Sequence, residues 1–211
     1  MTGRYFLDNK DLYTQYGVFI KKSSGLLDFL KMKKNYSYSW PDEHGDDIDL
    51  SKLYFESKKI SLECYLEAPN QSTFTTRLQN FFAALTSANL HTLKAYGIAK
   101  VFMVYLEDAS EVVRLSKWSN NKMMAQFTLK LVCPVPVSRQ FTTNQNPLAQ
   151  VTVNVTTSKN LEIYWGDGTK TAVTSSGAKT HNYSVTGTYY IVLAGDISAI
   201  SALTLTNCTE I

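Results

Sequence analysis

The chain has 211 residues with 44% hydrophobic and 18% charged content, the make-up of a core-forming protein, which excludes a disordered tail. A formal net charge of +3 gives no push toward nucleic acid or a membrane surface. Thirteen tyrosines and ten phenylalanines, among many threonines and valines, favour strands, so a mainly β chain is expected, as one large domain or two small ones.

The opening "MTGRYFLDNKDLYTQYG" has neither an apolar centre nor a small-residue cleavage site, so it is not read as a secretory leader. No apolar run is long enough to cross a bilayer. Next, "KKSSGLLDFLKMKKNYSYSW" interleaves Lys21, Lys22, Lys31, Lys33 and Lys34 with Tyr36, Tyr38 and Trp40. Lysines beside aromatics suit single-stranded nucleic acid. The aromatics recur at every second position, however, which also builds one face of a strand with solvated lysines flanking it; the strand reading is preferred.

"WPDEHGDDIDL" packs five carboxylates, Asp42, Glu43, Asp46, Asp47 and Asp49, around His44. A calcium loop needs alternating oxygen ligands and a closing glutamate, whereas Gly45 interrupts the alternation and no glutamate follows. A zinc site wants a second His or a Cys nearby. A polar turn between strands is therefore expected, with metal binding as the second reading. A chelator-sensitive hydrolytic activity mapped to Asp42–Asp49 would support an enzyme instead.

"KKISLECYLEA" alternates, with Ile60, Leu62, Cys64 and Leu66 on one face and Ser61, Glu63, Tyr65 and Glu67 on the other. In "STFTTRLQNFFAALTSAN" the period changes: Phe74, Leu78, Phe81, Phe82 and Leu85 form one helical stripe, with Ser72 or Asn70 as its cap. "AKVFMVYLED", "SEVVRLSKW" and "MMAQFTLKLVCP" resume the strands, the last aligning Ala125, Phe127, Leu129, Leu131 and Cys133. One helix among many strands predicts a β-barrel or sandwich with a helix packed across one side.

Residues 1–140 hold 18 of the 21 basic residues and 14 of the 18 acids, and this change of composition marks a boundary. Two domains are expected, 1–140 and 151–211, joined by a linker at 141–150. The second shows short β-branched strands, "VTVNVT", "LEIYW", "GTYYIVLAG" and "ALTLTN", between turns, the pattern of a small sandwich. Asp167-Gly168 is read as a turn dipeptide. Cys64, Cys133 and Cys208 lack metal or redox spacing and are read as reduced thiols. His44, His91 and His181 stand in no catalytic motif, and no G-x-S-x-G elbow or phosphate loop occurs. No catalytic residue, cofactor or metal is assigned.

The stretches "DLYTQYGVFIKKSSGLLDF", "WPDEHGDDIDLSKLYFESKKISLECYLEA", "FTTRLQNFFAAL" and "FTLKLVCPVP", in that order over about two-thirds of the chain, resemble the N-terminal domain of the phage distal tail protein family, the siphophage tail-hub proteins. Gly17, Gly45, Tyr54, Lys59 and Phe74 occupy the matching positions. The resemblance implies a β-barrel protomer assembled with itself as a homo-hexameric ring. That ring would cap the tail tube protein and hold tail-tip or fibre proteins, with DNA passing through its lumen without specific binding. It also implies assembly in the cytoplasm of a host bacterium, a final place in the virion tail, and no membrane partner. The acidic stretch would then be an inter-strand loop available to a neighbouring subunit or ring.

The second domain resembles a polycystic-kidney-disease (PKD) type Ig-like sandwich through Trp165, Asp167-Gly168, His181 with Tyr183, and Gly187-Thr188-Tyr189, although it reads about a strand short. Such modules are spacers or adhesive decorations. The alternative function is a carbohydrate- or cell-surface-binding module presenting Tyr164, Tyr183 or Tyr189 to a host surface glycan.

Overall fold

The computed structural model describes residues 4–34, 37–42, 44–116 and 122–211. Tyr36, Glu43 and Trp118, which the sequence reading places on strands or in the acidic turn, lie outside the described residues.

The first part of the chain runs β1 (Tyr5–Leu7), β2 (Lys10–Asp11), α1 (Leu12–Tyr16), β3 (Val18–Ser24), β4 (Ser37–Tyr38), β5 (Asp47–Ile48) and β6 (Lys58–Ala68). It continues through α2 (Gln71–Leu85), β7 (His91–Ala95), β8 (Val101–Ala109), β9 (Val113–Arg114) and β10 (Met123–Cys133). The spine is β6 against β10, antiparallel in unbroken register from Lys58↔Cys133 to Ala68↔Met123. Directly opposed residues point to the same face. The alternating sets Ile60, Leu62, Cys64, Leu66 and Ala125, Phe127, Leu129, Leu131, Cys133 are accordingly all buried in one core. The sheet follows the order β2-β1-β7-β8-β10-β6-β3, with β9 on β10. The path is open, with β2 and β3 at its ends, so of the two expected forms the described strands make no closed barrel.

Helix α2 closes this core. Asn70 caps it, its side-chain oxygen accepting from the Thr73 N–H at 2.8 Å. Phe74, Phe81 and Leu85 are buried, with Leu78 and Phe82 packed beside them. Burying each such ring or leucine contributes about 1.5–3 kcal/mol relative to leaving it exposed. The short α1 is capped by Asp11, whose carboxylate accepts from Tyr13 and Thr14. It ends at Gly17, in the left-handed region at φ 69°. A Cβ there would stand 2.4 Å from the Glu67 carbonyl oxygen, so close approach as well as φ requires glycine.

The second part comprises β11 (Arg139–Asn144), β12 (Val151–Thr157), β13 (Leu161–Tyr164), β14 (Lys170–Val173), β15 (Gly177–His181), β16 (Thr188–Gly195), β17 (Ile200–Thr206) and β18 (Thr209–Glu210). A five-stranded sheet, β14-β13-β16-β11-β18, faces a three-stranded one, β15-β12-β17. Between them lie Phe141, Val151, Val153, Val155, Ile163, Trp165, Val173, Ile191 and Leu193, all fully buried. The mainly β expectation with one main helix thus holds.

The expected linker at 141–150 is corrected. Arg139–Asn144 is a strand paired with β16 along its whole length, and Phe141 is completely buried in the second core. The polar run "SRQFTTNQN" alternates Phe141 and Thr143 inward, but one apolar residue in six is too weak a period to read from sequence. This strand belongs to the five-stranded sheet of the second core, between β16 and β18. The connection between the two cores shrinks to residues 134–138. At the far end, the chain crosses between sheets: β17 pairs with β12, whereas β18 pairs with β11. Arg139 holds that last strand through two bonds to Glu210, of 2.7 and 2.6 Å.

The two cores share a seam. In β8, Phe102 and Val104 face the first core, while Val101 and Met103 pack on Tyr164, Val192 and Ala194 of the second sheet. The Gln140 side chain brackets Val101. Its carbonyl oxygen accepts from the Val101 N–H at 2.9 Å, and its amide donates to the Val101 carbonyl at 2.8 Å.

Candidate functional site

The three tyrosines expected to meet a glycan are all buried, with relative exposures of 6% for Tyr164, 5% for Tyr183 and 7% for Tyr189. Tyr183 and Tyr189 stack on each other with centroids 3.8 Å apart. The Tyr183 hydroxyl donates to the Trp165 carbonyl at 2.7 Å and the Tyr189 hydroxyl to the Val185 carbonyl at 2.8 Å. Tyr164 lies in the seam, its hydroxyl on Glu162. A ring that stacks on a sugar needs a free face, and these rings spend theirs on one another and on the core. Burial is the largest influence raising the Tyr164 and Tyr183 hydroxyls well above the ordinary tyrosine range. The glycan expectation for these three positions is corrected on that ground.

The same residues form the centre of the sandwich. Trp165 stacks on His181 at 4.9 Å, and His181 meets the Tyr183 edge at 4.6 Å. His181 Nε2 is 2.8 Å from Asp167 Oδ2, while Asp167 Oδ1 accepts from the Thr169 N–H and hydroxyl. Burial pushes the Asp167 carboxyl up, but the bonds from Thr169 and His181 outweigh it and hold the group below its usual range. The turn reading of Asp167-Gly168 is realised, Gly168 having φ 89°. Asp167 also does what its sequence neighbourhood did not disclose: it ties the turn to β15, 14 residues on.

A second Asp–His pair was hidden by a separation of 83 residues. His91 Nδ1 lies 2.7 Å from Asp8 Oδ2, and Asp8 Oδ1 accepts from the Thr92 N–H at 2.8 Å. The hydrogen bond to Asp8 is the largest influence on His91; burial opposes it and the Asp8 charge adds to it, leaving the imidazole above its ordinary 6.5. Folding then favours protonated His91. That stabilisation is complete below about 6.5 and is lost as pH rises through the higher folded-state value. Asp8→Asn keeps an oxygen for Thr92 and tolerates the left-handed φ of 48°. Urea unfolding of wild type across this window is expected to lose stability as pH rises, and the variant to lose that slope. An unchanged slope would assign it to another group.

Burial works against thiolate formation at all three cysteines. Burial, aided by Glu63, pushes Cys64 up to about 12, and burial raises Cys133 and Cys208 as well. Among the described residues no three His, Cys, Asp or Glu side chains come together as a metal site.

The acidic stretch sits on an arm running from residue 26 to residue 57, between β3 and β6. Strands β4 and β5 pair near its tip through Ser37↔Ile48 and Tyr38↔Asp47. Lower down, the Lys33 N–H donates to the Tyr54 carbonyl and the Glu56 N–H to the Lys31 carbonyl, each at 2.8 Å. Asp42, His44, Asp46, Asp47 and Asp49 are exposed. Tyr38 and Trp40 contact each other at 4.3 Å, as the every-second-residue pattern implies, but neither is covered by the core. Elsewhere on the arm Leu27, Phe29, Met32, Ile48, Leu50, Leu53 and Tyr54 also face solvent, Leu27 at 82% and Phe29 at 101%. The sequence named the aromatics and acids of this arm but not its exposed apolar surface. Apolar residues in a run of this kind are equally consistent with a buried strand.

The described residues thus form a mainly β scaffold whose Asp–His pairs and tyrosine cluster hold packing and turns together, while many of its exposed large apolar side chains lie on one arm. No family model and no curated protein matches the chain. Among solved structures it is similar to the SPP1 Dit (gp 19.1) protein, described as a paradigm of the hub adsorption apparatus in Gram-positive infecting phages. The similarity has a TM-score of 0.49 at 12% identity, and covers 100% of this chain and 96% of that one.

Proposed function

We propose that this chain is a structural virion protein, a distal tail or baseplate hub ring component joining the tail tube to tail-tip or fibre proteins. The observation that carries the reading is the arm. Leu26 anchors it in the first core, but Leu27, Phe29, Met32, Ile48, Leu50, Leu53 and Tyr54 are exposed, and its own pairing is two residue pairs near the tip and one bridge, Met32↔Phe55, too little to be stable alone. Exposed large apolar side chains at this density along one segment mark it as a candidate protein interface. The partner is another copy. The arm carries Lys33 and Lys34 toward its stem, where Lys31 is paired with Glu56 at 2.9 Å, and Asp42, Asp46, Asp47 and Asp49 toward its tip, so unlike charges can meet between copies in a head-to-tail arrangement, which closes into a ring where the rotation between copies allows.

Six-fold closure, tail-tube docking and a DNA-conducting lumen are what the resemblance to distal tail proteins adds. In this reading the first core is the ring-forming domain, and the sandwich from residue 139 onward is a PKD-type Ig-like decoration. Self-association does the work, with no reactive residue.

Light scattering on a sizing column with negative-stain imaging of the same peak tests it. The expected species has six times the chain mass and forms a ring with small knobs. Leu27→Ser with Phe29→Ser is expected to leave a monomer with unchanged thermal stability, since neither side chain is buried. A wild-type monomer at every concentration, alone and with tail tubes, would sink the reading. So would a double variant that assembles like wild type.

A further inference from the structure

A cleft of about 560 Å³ opens beside the seam between the two sheets, within the size range of small-molecule sites. Arg4, Phe6 of β1, Lys94 of β7 and Tyr190 of β16 line it, and the turn from Tyr96 to Ala99 forms its rim. Among the described residues its lining carries two cations and no carboxylate. Lys94 donates to the carbonyls of Ile98 and Ala99 and stands 4.5 Å from the Tyr190 centroid. Neither Lys94 nor Arg4 has an acidic partner among the described residues. Burial lowers the Lys94 pKa, so an anion beside it would offset a standing desolvation cost. The planar Arg4 guanidinium suits two oxygens of a phosphate or carboxylate.

The rings complete the chemistry. Tyr96 is 78% exposed, and no described ring packs against it. At the adjoining Gly97 a Cβ would meet nothing within 4 Å, so the rim is open for a ligand to lie across it. A flat amphipathic ring face next to cations that have no acidic partner among the described residues is a surface for a sugar that carries negative charge. The side chains of Asn9 and Thr188 stand at the edge for its hydroxyls.

We propose that this cleft binds an acidic saccharide, a hexose unit bearing phosphate or carboxylate, with Arg4 and Lys94 on the anion and Tyr96 against the sugar face. The proposal does not rest on ring assembly. It moves glycan recognition away from the buried tyrosines of the sandwich to the junction of the two sheets.

Saturation-transfer NMR and calorimetric titration of full-length protein, with its mass checked in the same buffer, provide the test. The probes are glucose 1-phosphate, glucuronate, glucose and inorganic phosphate. One or both charged sugars are expected to bind, the stronger naming phosphate or carboxylate as the group recognised, and glucose and phosphate separately to bind at least about tenfold more weakly. Tyr96→Ala is expected to weaken binding roughly fivefold and Arg4→Gln by about tenfold, both at unchanged thermal stability, and added salt to weaken it further. Inorganic phosphate binding as well as the sugar phosphate would reduce the cleft to an adventitious ion site and overturn the proposal. So would affinity unchanged in both variants, or no binding of any probe. Binding that disappears as the protein self-associates would assign the cleft to a second copy and overturn it too.

Discussion

Trp165→Ala is expected to cost about 3–5 kcal/mol, enough to unfold the C-terminal sandwich near physiological temperature. Trp165 is fully buried and is bound to both sheets. From the end of β13 its ring stacks on His181 of β15, its Nε1 donates to the Thr171 hydroxyl at 2.9 Å, and its carbonyl accepts from Tyr183. Alanine leaves a cavity between two sheets that cannot close without breaking their ladders, and it strands a threonine hydroxyl. Trp165→Phe keeps most of the volume and is expected to cost about 1–2 kcal/mol, the size of a lost hydrogen bond with some repacking. Calorimetry reads both. Two variants of equal stability would show that the ring's size is not what holds the sandwich.

Phe81→Ala is expected to cost a similar amount, about 3–5 kcal/mol, in the other core. Phe81 projects from α2 with no exposed surface, its centroid 5.5 Å from Tyr16, 5.7 Å from Phe82 and 5.9 Å from Phe127. It therefore joins both helices to β10. Together the two substitutions test the proposal that the cores belong to separate domains. Separate domains give two calorimetric transitions: Trp165→Ala moves one and Phe81→Ala the other, the cross-effect being limited to the seam at Val101, Met103 and Gln140. A single transition lowered equally by both would make the chain one cooperative unit.

Much of the first core was legible in the sequence because it is periodic. The β6 and β10 faces and the α2 stripe are long enough for their periods of 2 and 3.6 to stand out, and register then follows from which face is apolar. The α2 cap was legible to within two candidates, Ser72 and Asn70, because a cap is adjacent to the backbone it satisfies; the structure chooses Asn70 and places Ser72 inside the helix. Strand β11 was not. Its burial depends on β16 and β18, which lie about 50 and 70 residues further along, and its own composition is that of a loop. The Asp8–His91 pair was invisible on the same physical ground, since a contact across 83 residues leaves no local pattern.

The candidate surfaces divide in the same way. Sequence alone determined that the chain is mainly β with one packed helix, that its charge lies mostly before residue 140, and that acids cluster around Asp42–Asp49. Only the tertiary structure decided which aromatics are free. Tyr164, Tyr183 and Tyr189 are inside, while Phe29, Trp40, Tyr54 and Tyr96 are outside. Alternation reports that a strand has two faces but not whether something covers each of them, and that depends on sheets arriving from distant parts of the chain.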